Sequence, residues 1–243
     1  MRPGLPALHA ALDATWPAAA THHRGPWLLR EGQGGGKRVS AATAEGPVTG
    51  ADIATAEAGM AELDQPALFM IREGEDALDS MLAERGYRVV DPVELYLAPA
   101  GILAEGAGRL TAFLIWPPFK VMTDLWAEGG IGPARVAVME RCTAPKTAVI
   151  GRTNERVGGA AFAAIHDGIA MFHALEVIPS QRRQGTAHNM MGHVARWALD
   201  HGAAWFVVAV SEANGPARAL YASLGMEVVG KYHYRMNRAR KGA

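Results

Sequence analysis

Hydrophobic and polar positions in the second half of the chain alternate with the periods of strands and helices. Three strands are predicted in succession: Thr147–Arg152, Val157–Ile165 and Ile169–Ile178. The third ends at Pro179, a residue that cannot continue a ladder of hydrogen bonds. After it, apolar residues recur at helical spacing over Gly185–His201. Gly202 follows, where a glycine that ends a helix belongs.

The remainder of this half predicts one more strand, one more helix and a last strand. Trp205–Val210 is a short and almost entirely apolar run, as expected of a strand that is buried on both faces. Asn214 is suited to cap a helix that has Pro216 in its first turn. That helix is predicted to end at Gly225, and Met226–Met236 to form the last strand.

The first half of the chain repeats part of this pattern. Without gaps, Ala67–Leu95 aligns with Phe206–Tyr234, so that strand, helix, glycine stop and strand recur in the same register. We interpret the chain as two tandem copies of one fold; a chance similarity between generic strand-helix-strand units is the alternative. The predicted class is α/β, with an α+β mixed sheet. A glycine-rich stretch at 103–110 is the predicted junction between domains 1–105 and 106–243.

Composition and charge narrow the classes of function. Lys and Arg together number 24, as do Asp and Glu, so no basic field would gather nucleic acid or anionic lipid. Apolar runs fall short of the roughly 20 residues that a membrane span needs. Cys142 is the single cysteine, which excludes a cysteine-cluster zinc site and an internal disulfide. We expect a cytoplasmic monomer or homodimer that holds no metal and binds neither nucleic acid nor membrane.

The most informative stretch runs from Leu175 to Ala187. A strand stops at a proline, the chain turns through Arg182 and Arg183, and a helix begins at Gly185. Free backbone N–H groups and the positive end of the helix dipole make such a helix start an anion site. The small residues there let a phosphate approach the backbone closely, and the arginines add positive charge. The chemistry indicated is the binding of a pyrophosphate.

Two short motifs flank the predicted helix 185–201. The first reads Val-x-Pro and then Arg/Gln-x-x-Gly-x-Gly/Ala, and its matches are Val177, Pro179, Arg182, Gly185 and Ala187. The second reads Asn-x-x-Ala-x-x-Leu-Tyr-x-x-x-Gly-Phe, matched from Asn214 to Gly225, with Met226 in place of the usual aromatic. In this order, with a helix and a strand between them, they resemble the GCN5-related N-acetyltransferases (GNAT). The resemblance covers roughly residues 120–236.

The resemblance implies an enzyme that transfers an acetyl group from acetyl-CoA to the primary amine of a small molecule or peptide. The residues implied in binding acetyl-CoA are Val177, Ile178, Pro179, Arg182, Arg183, Gln184, Gly185, Thr186, Ala187 and Asn214. The strand end would pair with the pantetheine arm, the loop and helix start would cradle the pyrophosphate, and Asn214 would hydrogen-bond the pantetheine. Tyr221 would protonate the leaving thiolate, since its usual pKa of about 10 lies a little above that of a thiol.

Two side chains near the end of the third strand are candidates for the base that deprotonates the amine. His173 stands in a His-x-Leu-x-Val setting similar to that of the arylalkylamine acetyltransferases, in which the histidine has been assigned this duty. A hydrogen-bonded, half-buried histidine without a catalytic role is the alternative. Because side chains alternate along a strand, Glu176 is expected on the face opposite to His173 and is the weaker candidate.

The first copy lacks the chemistry of the second. The gapless alignment opposes Gly46 to Gly185, Leu82 to Tyr221 and Glu75 to Asn214. Both arginines of the loop are missing, and Pro47 removes one backbone donor. We therefore expect a degenerate, non-catalytic first domain and one coenzyme site per chain.

Two classes of function remain open at this point. The first is an acetyl-CoA-dependent N-acetyltransferase, and the second is a non-catalytic sensor that binds acyl-CoA. The presence of both Asn214 and Tyr221 favours the enzyme, because a pure binder needs the pyrophosphate loop but no tyrosine at the thiol.

Overall fold

Helices and strands alternate along the computed structural model, which describes residues 1–105, 108 and 111–237. Within these ranges the helices are α1 (Leu5–Thr15), α2 (Gly50–Glu62), α3 (Asp76–Glu84), α4 (Ala100–Ala104), α5 (Lys120–Glu128), α6 (Pro133–Arg141), α7 (Thr186–Asp200) and α8 (Gly215–Ser223). The strands are β1 (Ala20–Arg24), β2 (Trp27–Glu31), β3 (Thr43–Ala44), β4 (Leu68–Arg72), β5 (Arg88–Pro99), β6 (Ala112–Ile115), β7 (Lys146–Thr153), β8 (Arg156–His166), β9 (Ile169–Val177), β10 (Trp205–Ser211) and β11 (Glu227–Met236). None of the described helices is long and apolar enough to cross a membrane.

The chain forms two compact units whose sequence ranges interleave. Unit 1 comprises Met1–Pro17, Leu95–Val210 and Asn214–Val229, and unit 2 comprises Ala18–Glu94, Ser211–Ala213 and Gly230–Ala243. The predicted domains 1–105 and 106–243 divide the chain at a single point, and this division stays a prediction. Of the predicted junction, residues 106, 107, 109 and 110 lie outside the described residues.

Unit 1 is built on a sheet with the strand order β5-β10-β9-β8-β7-β6. Strands β6 to β9 pair antiparallel, whereas β9 and β10 are parallel. Helix α7 packs against β6–β9, and α1 and α5 pack against β8 and β9. Met190 of α7 lies at Gly159, while Trp16 contacts Phe162 with 6.1 Å between ring centres. Because positions 159 and 162 face opposite sides of β8, helices cover both faces of this sheet.

Unit 2 contains the antiparallel sheet β1-β2-β3 and the strand order β4-β11-β5. Strands β4 and β11 pair antiparallel. Its apolar core includes the buried side chains Trp27, Phe69, Leu82 and Tyr87. Asp79 on α3 accepts hydrogen bonds from Arg235 Nε at 2.6 Å and His233 Nε2 at 2.7 Å. The Arg235 guanidinium lowers the pKa of the Asp79 carboxyl below its usual value.

The elements predicted from residue 147 onward are confirmed, with ends that agree within two residues. The turn between β7 and β8 falls at Asn154 and Glu155, both with positive φ. Asn214 caps α8, because its side chain accepts a hydrogen bond from Ala217 N at 3.2 Å. The polar and apolar pattern was sufficient here because each element has one face, or both, in the core.

The repeated pattern of the two halves is reproduced in part by the elements. Helices α3 and α8 both have nine residues and occupy equivalent positions of the alignment, as do the first residues of β5 and β11. Before β4 the alignment is wrong. Gly46 was expected opposite Gly185, the residue that begins α7, but α2 is capped by Thr49. The two helix starts differ by three positions of the alignment: α2 is two residues shorter than α7, and the ends of the two helices are displaced by one more.

Candidate functional site

Strand β9 parts from its parallel neighbour β10 close to the first motif. The pairing of the two strands ends at Phe172 and Val208, whereas β9 continues to Val177. The last residues of β9 therefore border a gap between the strands, and the first turns of α7 and α8 stand on either side of it. This separation opens the candidate site.

A β-bulge in β9 changes which side chains share a face. Phe162 pairs with His173 and Ala160 with Glu176, so β9 has one more residue than β8 between these pairs. Ala174, inside the bulge, has a φ of 52°. Because paired residues of antiparallel strands point to the same side, His173 and Glu176 lie on one face of the sheet. The prediction that they lie on opposite faces is wrong, because simple alternation fails at a bulge.

The gap widens into a cavity of about 710 Å³, within the usual range of ligand sites. Its described lining consists of Leu175, Glu176, Val177, Gln181, Arg182, Arg183, Gly185, Thr186, Ala187, His188, Asn214, Pro216, Ala217, Ala219, Leu220 and Ser223. Seven of the ten predicted coenzyme-binding residues are in this lining. The cavity thus joins both sequence motifs in one place.

The start of helix α7 has the geometry of an anion site. Gly185, the residue before the helix, has a φ of 81°, a left-handed conformation that glycine adopts without a steric penalty. The amides of the first turn have no partner inside the helix and carry the positive end of its dipole. The Thr186 hydroxyl bonds to the Gln181 carbonyl at 3.2 Å, which fixes the loop to the helix start.

The two arginines of the loop differ in their contacts. Arg182 turns toward the strand end, where Nε donates to the carbonyl of Val177 at 3.1 Å and Nη2 to Oε1 of Glu176 at 3.3 Å. Arg183 is exposed and has a φ of 62°. Both side chains border the cavity, so both positive charges are within reach of an anion bound there.

The predicted residues Ile178, Pro179 and Gln184 are outside the described lining of the cavity. Ile178 N donates to the carbonyl of Gly158 at 2.9 Å, and proline has no N–H group. Pairing of a ligand with these two residues would therefore use their carbonyl groups. The Gln184 side chain donates to the carbonyl of Ser180 at 3.0 Å, which places it in the loop structure.

Tyr221 lies in the core of unit 1 and not in the described lining of the cavity. Its ring centre is 5.6 Å from that of Tyr96, and the residue is 5% exposed. Burial raises the pKa of the Tyr221 phenol above its usual value, because the charged phenolate is poorly solvated there. The phenol therefore keeps its proton at neutral pH.

His173 is buried beneath helix α1, again outside the described lining. Its Nε2 lies 2.9 Å from Oγ1 of Thr15, whose hydroxyl donates to the carbonyl of Ala11 at 2.6 Å. A hydroxyl has one proton to donate, so in this arrangement His173 Nε2 donates its N–H to the Thr15 hydroxyl. The ring also packs against Trp16 and Phe162. Glu176, in contrast, borders the cavity with a side chain that is 23% exposed.

Sequence reasoning did not assign the cavity residues of α8. Pro216, Ala217 and Leu220 border the cavity. Leu220 follows Pro216 by four positions and Ala217 by three, a helical spacing that could have indicated a shared face. Thr15 contacts His173, and Gly129 lies against Glu176. Both residues are remote in sequence from the two motifs, and no pattern connects them with β9.

The comparisons with known proteins agree with this geometry. Residues 117–226 match the model of the acetyltransferase (GNAT) family. The protein YobR of Bacillus subtilis (strain 168), described as an uncharacterized N-acetyltransferase, is 25% identical over 235 residues, which cover 93% of this chain and 95% of that protein. These matches show a similarity to the GNAT acetyltransferases that the family model places in residues 117–226.

Solved structures show the same fold. A GCN5-related N-acetyltransferase from Kribbella flavida aligns with a TM-score of 0.73 at 17% identity, over 98% of this chain and 97% of that chain. A conserved protein of unknown function from Staphylococcus epidermidis aligns with a TM-score of 0.68 at 13% identity, over 89% and 92%. A tandem GNAT protein from the clavulanic acid biosynthesis pathway aligns with a TM-score of 0.59 at 14% identity, over 84% and 76%.

Proposed function

We propose that the protein transfers an acetyl group from acetyl-CoA to a primary amine of a small molecule or peptide. The observation that carries this proposal is the cavity in which the separated end of β9 meets the start of α7. It combines an extended strand edge with free helix amides, and the two lie within one cavity of about 710 Å³.

The residues present fit the chemical parts of acetyl-CoA. The start of α7 at Gly185, with Arg182 and Arg183 beside it, suits a pyrophosphate. The side-chain oxygen Oδ1 of Asn214 caps α8. The two N–H donors of the same side-chain amide would therefore be offered to the pantetheine. When bound, acetyl-CoA supplies the thioester that the amine attacks.

The proton steps fall to side chains near the end of β9 and on α8. The nucleophile is the neutral amine, so the extra proton of its ammonium form must pass to a base, and the departing sulfur must gain a proton. Glu176 borders the cavity and is our first candidate for the base, and His173, on the same face of the sheet, is the second. Tyr221, whose side chain is outside the described lining of the cavity, is the proposed donor to the sulfur because of its place in the second motif.

We further propose that the first half is a degenerate copy that binds no coenzyme. The guanidinium of Arg72, at the end of β4, contacts the carbonyl of Ala44 at the end of β3 and the Glu75 carboxylate. It therefore fills the place that corresponds to the gap beside β9. At the start of α2 the Asp52 carboxylate accepts from Thr49 N at 2.7 Å, and its charge would repel a phosphate. The printed description of one structural neighbour as a tandem GNAT protein supports this arrangement.

The test is turnover of acetyl-CoA with a panel of amines: putrescine, L-lysine, 2-phenylethylamine and kanamycin. We expect that at least one amine raises the rate of free thiol release above the rate measured without amine. Tyr221→Phe should then lower kcat by roughly 10²–10⁴-fold, as for loss of a general acid, with acetyl-CoA affinity unchanged. An unchanged kcat would leave water as the proton source. Tight binding of acetyl-CoA without turnover of any amine would favour the sensor instead.

A further inference from the structure

Helix α5 ends in a turn that is fixed beside the bulge of β9. The backbone N–H groups of Gly130 and Ile131 make bonds of 3.1 and 2.7 Å back to the helix, the pair that defines a Schellman motif. The indole of Trp126 in the same helix donates to the carbonyl of Ala174 in the bulge at 2.9 Å. Gly129, the capping residue, is thereby held at a fixed place next to the strand.

The place of a side chain on Gly129 is taken by the carboxylate of Glu176. An ideal Cβ on Gly129 would lie 2.7 Å from Cγ, Cδ and Oε2 of Glu176. The backbone itself does not require glycine, because φ is −79°. The other carboxylate oxygen, Oε1, accepts from Arg182 Nη2 at 3.3 Å. Two neighbours on different sides therefore hold the carboxylate at the wall of the cavity.

We propose that Gly129 is a positioning residue for the reaction: its missing side chain lets the Glu176 carboxylate sit where it accepts the proton of the amine. This inference rests on the proposed function, in which Glu176 is the base. A methyl group at position 129 would push the carboxylate away and break its contact with Arg182, but Arg182 would keep its bond to the Val177 carbonyl and the helix start at Gly185 would not be touched. A displacement of about 1 Å in a reacting group can reduce turnover by roughly 10²-fold.

A first experiment tests the contact by thermal stability and needs no substrate. Gly129→Ala should lower Tm in the natural background, because the methyl group and the Glu176 side chain compete for one space. In a Glu176→Ala background the same change should leave Tm unchanged or raise it, since the space is then free. An equal loss of Tm in both backgrounds would overturn the inference.

Gly132, in the same turn, provides a matched control. Its φ is −78° and a Cβ there would have no neighbour within 4 Å among the described residues, so Gly132→Ala should cause no clash and should leave kcat unchanged. With the amine of the panel that turns over fastest, Gly129→Ala should lower kcat by about 10- to 100-fold. The dissociation constant of acetyl-CoA, measured by calorimetry, should stay unchanged.

A Glu176→Gln background separates failure of this inference from failure of the proposed function. Glu176→Gln alone should lower kcat by roughly 10²–10⁴-fold, and adding Gly129→Ala should lower it no further, because no carboxylate is left to misplace. If Glu176→Gln leaves kcat unchanged, the proposed base is wrong. If Glu176→Gln lowers kcat but Gly129→Ala behaves like Gly132→Ala, only the positioning role is wrong. A further loss in the Gln background would indicate general damage and overturn it as well.

Discussion

At the scale of single residues, the site depends on glycines for two different reasons. Gly185 has a φ of 81° while its Cβ position is nearly open, with Asn189 Nδ2 3.9 Å away. Gly129 has an ordinary φ, but its Cβ position is filled by Glu176. A substitution at the first position strains the backbone, whereas one at the second moves a neighbouring side chain.

We expect Gly185→Glu to abolish the binding of acetyl-CoA. The change adds a negative charge at the helix start, and a non-glycine residue in the left-handed region costs about 1–2 kcal/mol. Gly202, at the other end of α7, has a φ of 80°, so Gly202→Glu controls for the strain alone. The Tm of both variants should fall. Only Gly185→Glu should also lose the stabilisation of roughly 2.7 kcal/mol that acetyl-CoA at 100 times its Kd provides. A full ligand shift in Gly185→Glu would contradict the assignment of the loop.

At the scale of elements, helix α1 is part of the unit that holds the site, although it lies far from the motifs in sequence. Leu8, Leu12 and Trp16 are buried where α1 packs on β8 and β9. The Thr15 hydroxyl reaches His173 on β9. A buried polar pair of this kind fixes how the helix lies on the strand, because either partner left alone would lose its hydrogen bond.

Substitutions in the Thr15–His173 pair distinguish a structural histidine from a catalytic one. Thr15→Val removes the hydroxyl that bonds His173 and should cost about 1–3 kcal/mol, the usual range when one partner of a buried hydrogen bond is deleted, whereas Thr15→Ser keeps the hydroxyl and serves as the control. With Glu176 as the base, His173→Ala should lower Tm and reduce the rate by the same factor at every pH. A loss confined to the acid limb of the pH profile would assign the base role to His173 instead.

At the scale of the whole molecule, the two units carry different chemistry in the described residues. Unit 1 contains the cavity and both motifs. In unit 2 the Arg72–Glu75 pair stands at the end of β4 and the Asp52 carboxylate at the start of α2, the positions that our proposal of a degenerate copy matches to the cavity. A fragment that begins at residue 106 would also lack α1 and the end of β5, which belong to unit 1, so we expect it to be unstable.

Calorimetry should find one acetyl-CoA bound per chain. This expectation follows from the proposal that the first half is a degenerate copy, in which the Arg72–Glu75 pair and the acidic Asp52 cap stand where a second coenzyme would bind. The Gly185→Glu variant makes this measurement sharper, because it should then bind none. A second site in the first half would instead show as one remaining equivalent in that variant.

The sequence by itself determined the succession of elements from residue 147 onward and singled out the loop that we propose to bind the coenzyme. Both depend on local properties: the period of apolar residues, the proline that ends a strand, and the glycine with arginines before a helix. The match of α3 with α8 was also visible, since the gapless alignment covers a segment without insertions. The first two signals each lie within a short stretch of neighbouring residues, and the third needs only a comparison of two such stretches.

Only the tertiary structure decided how the side chains that we propose for the reaction are arranged. The bulge at Ala174 puts Glu176 on the face of His173, and a bulge is a mismatch between two strands that neither strand shows alone. The contacts of Thr15 with His173 and of Gly129 with Glu176 join residues far apart in the chain. Packing of separate elements on one sheet creates these contacts, so no local pattern could predict them.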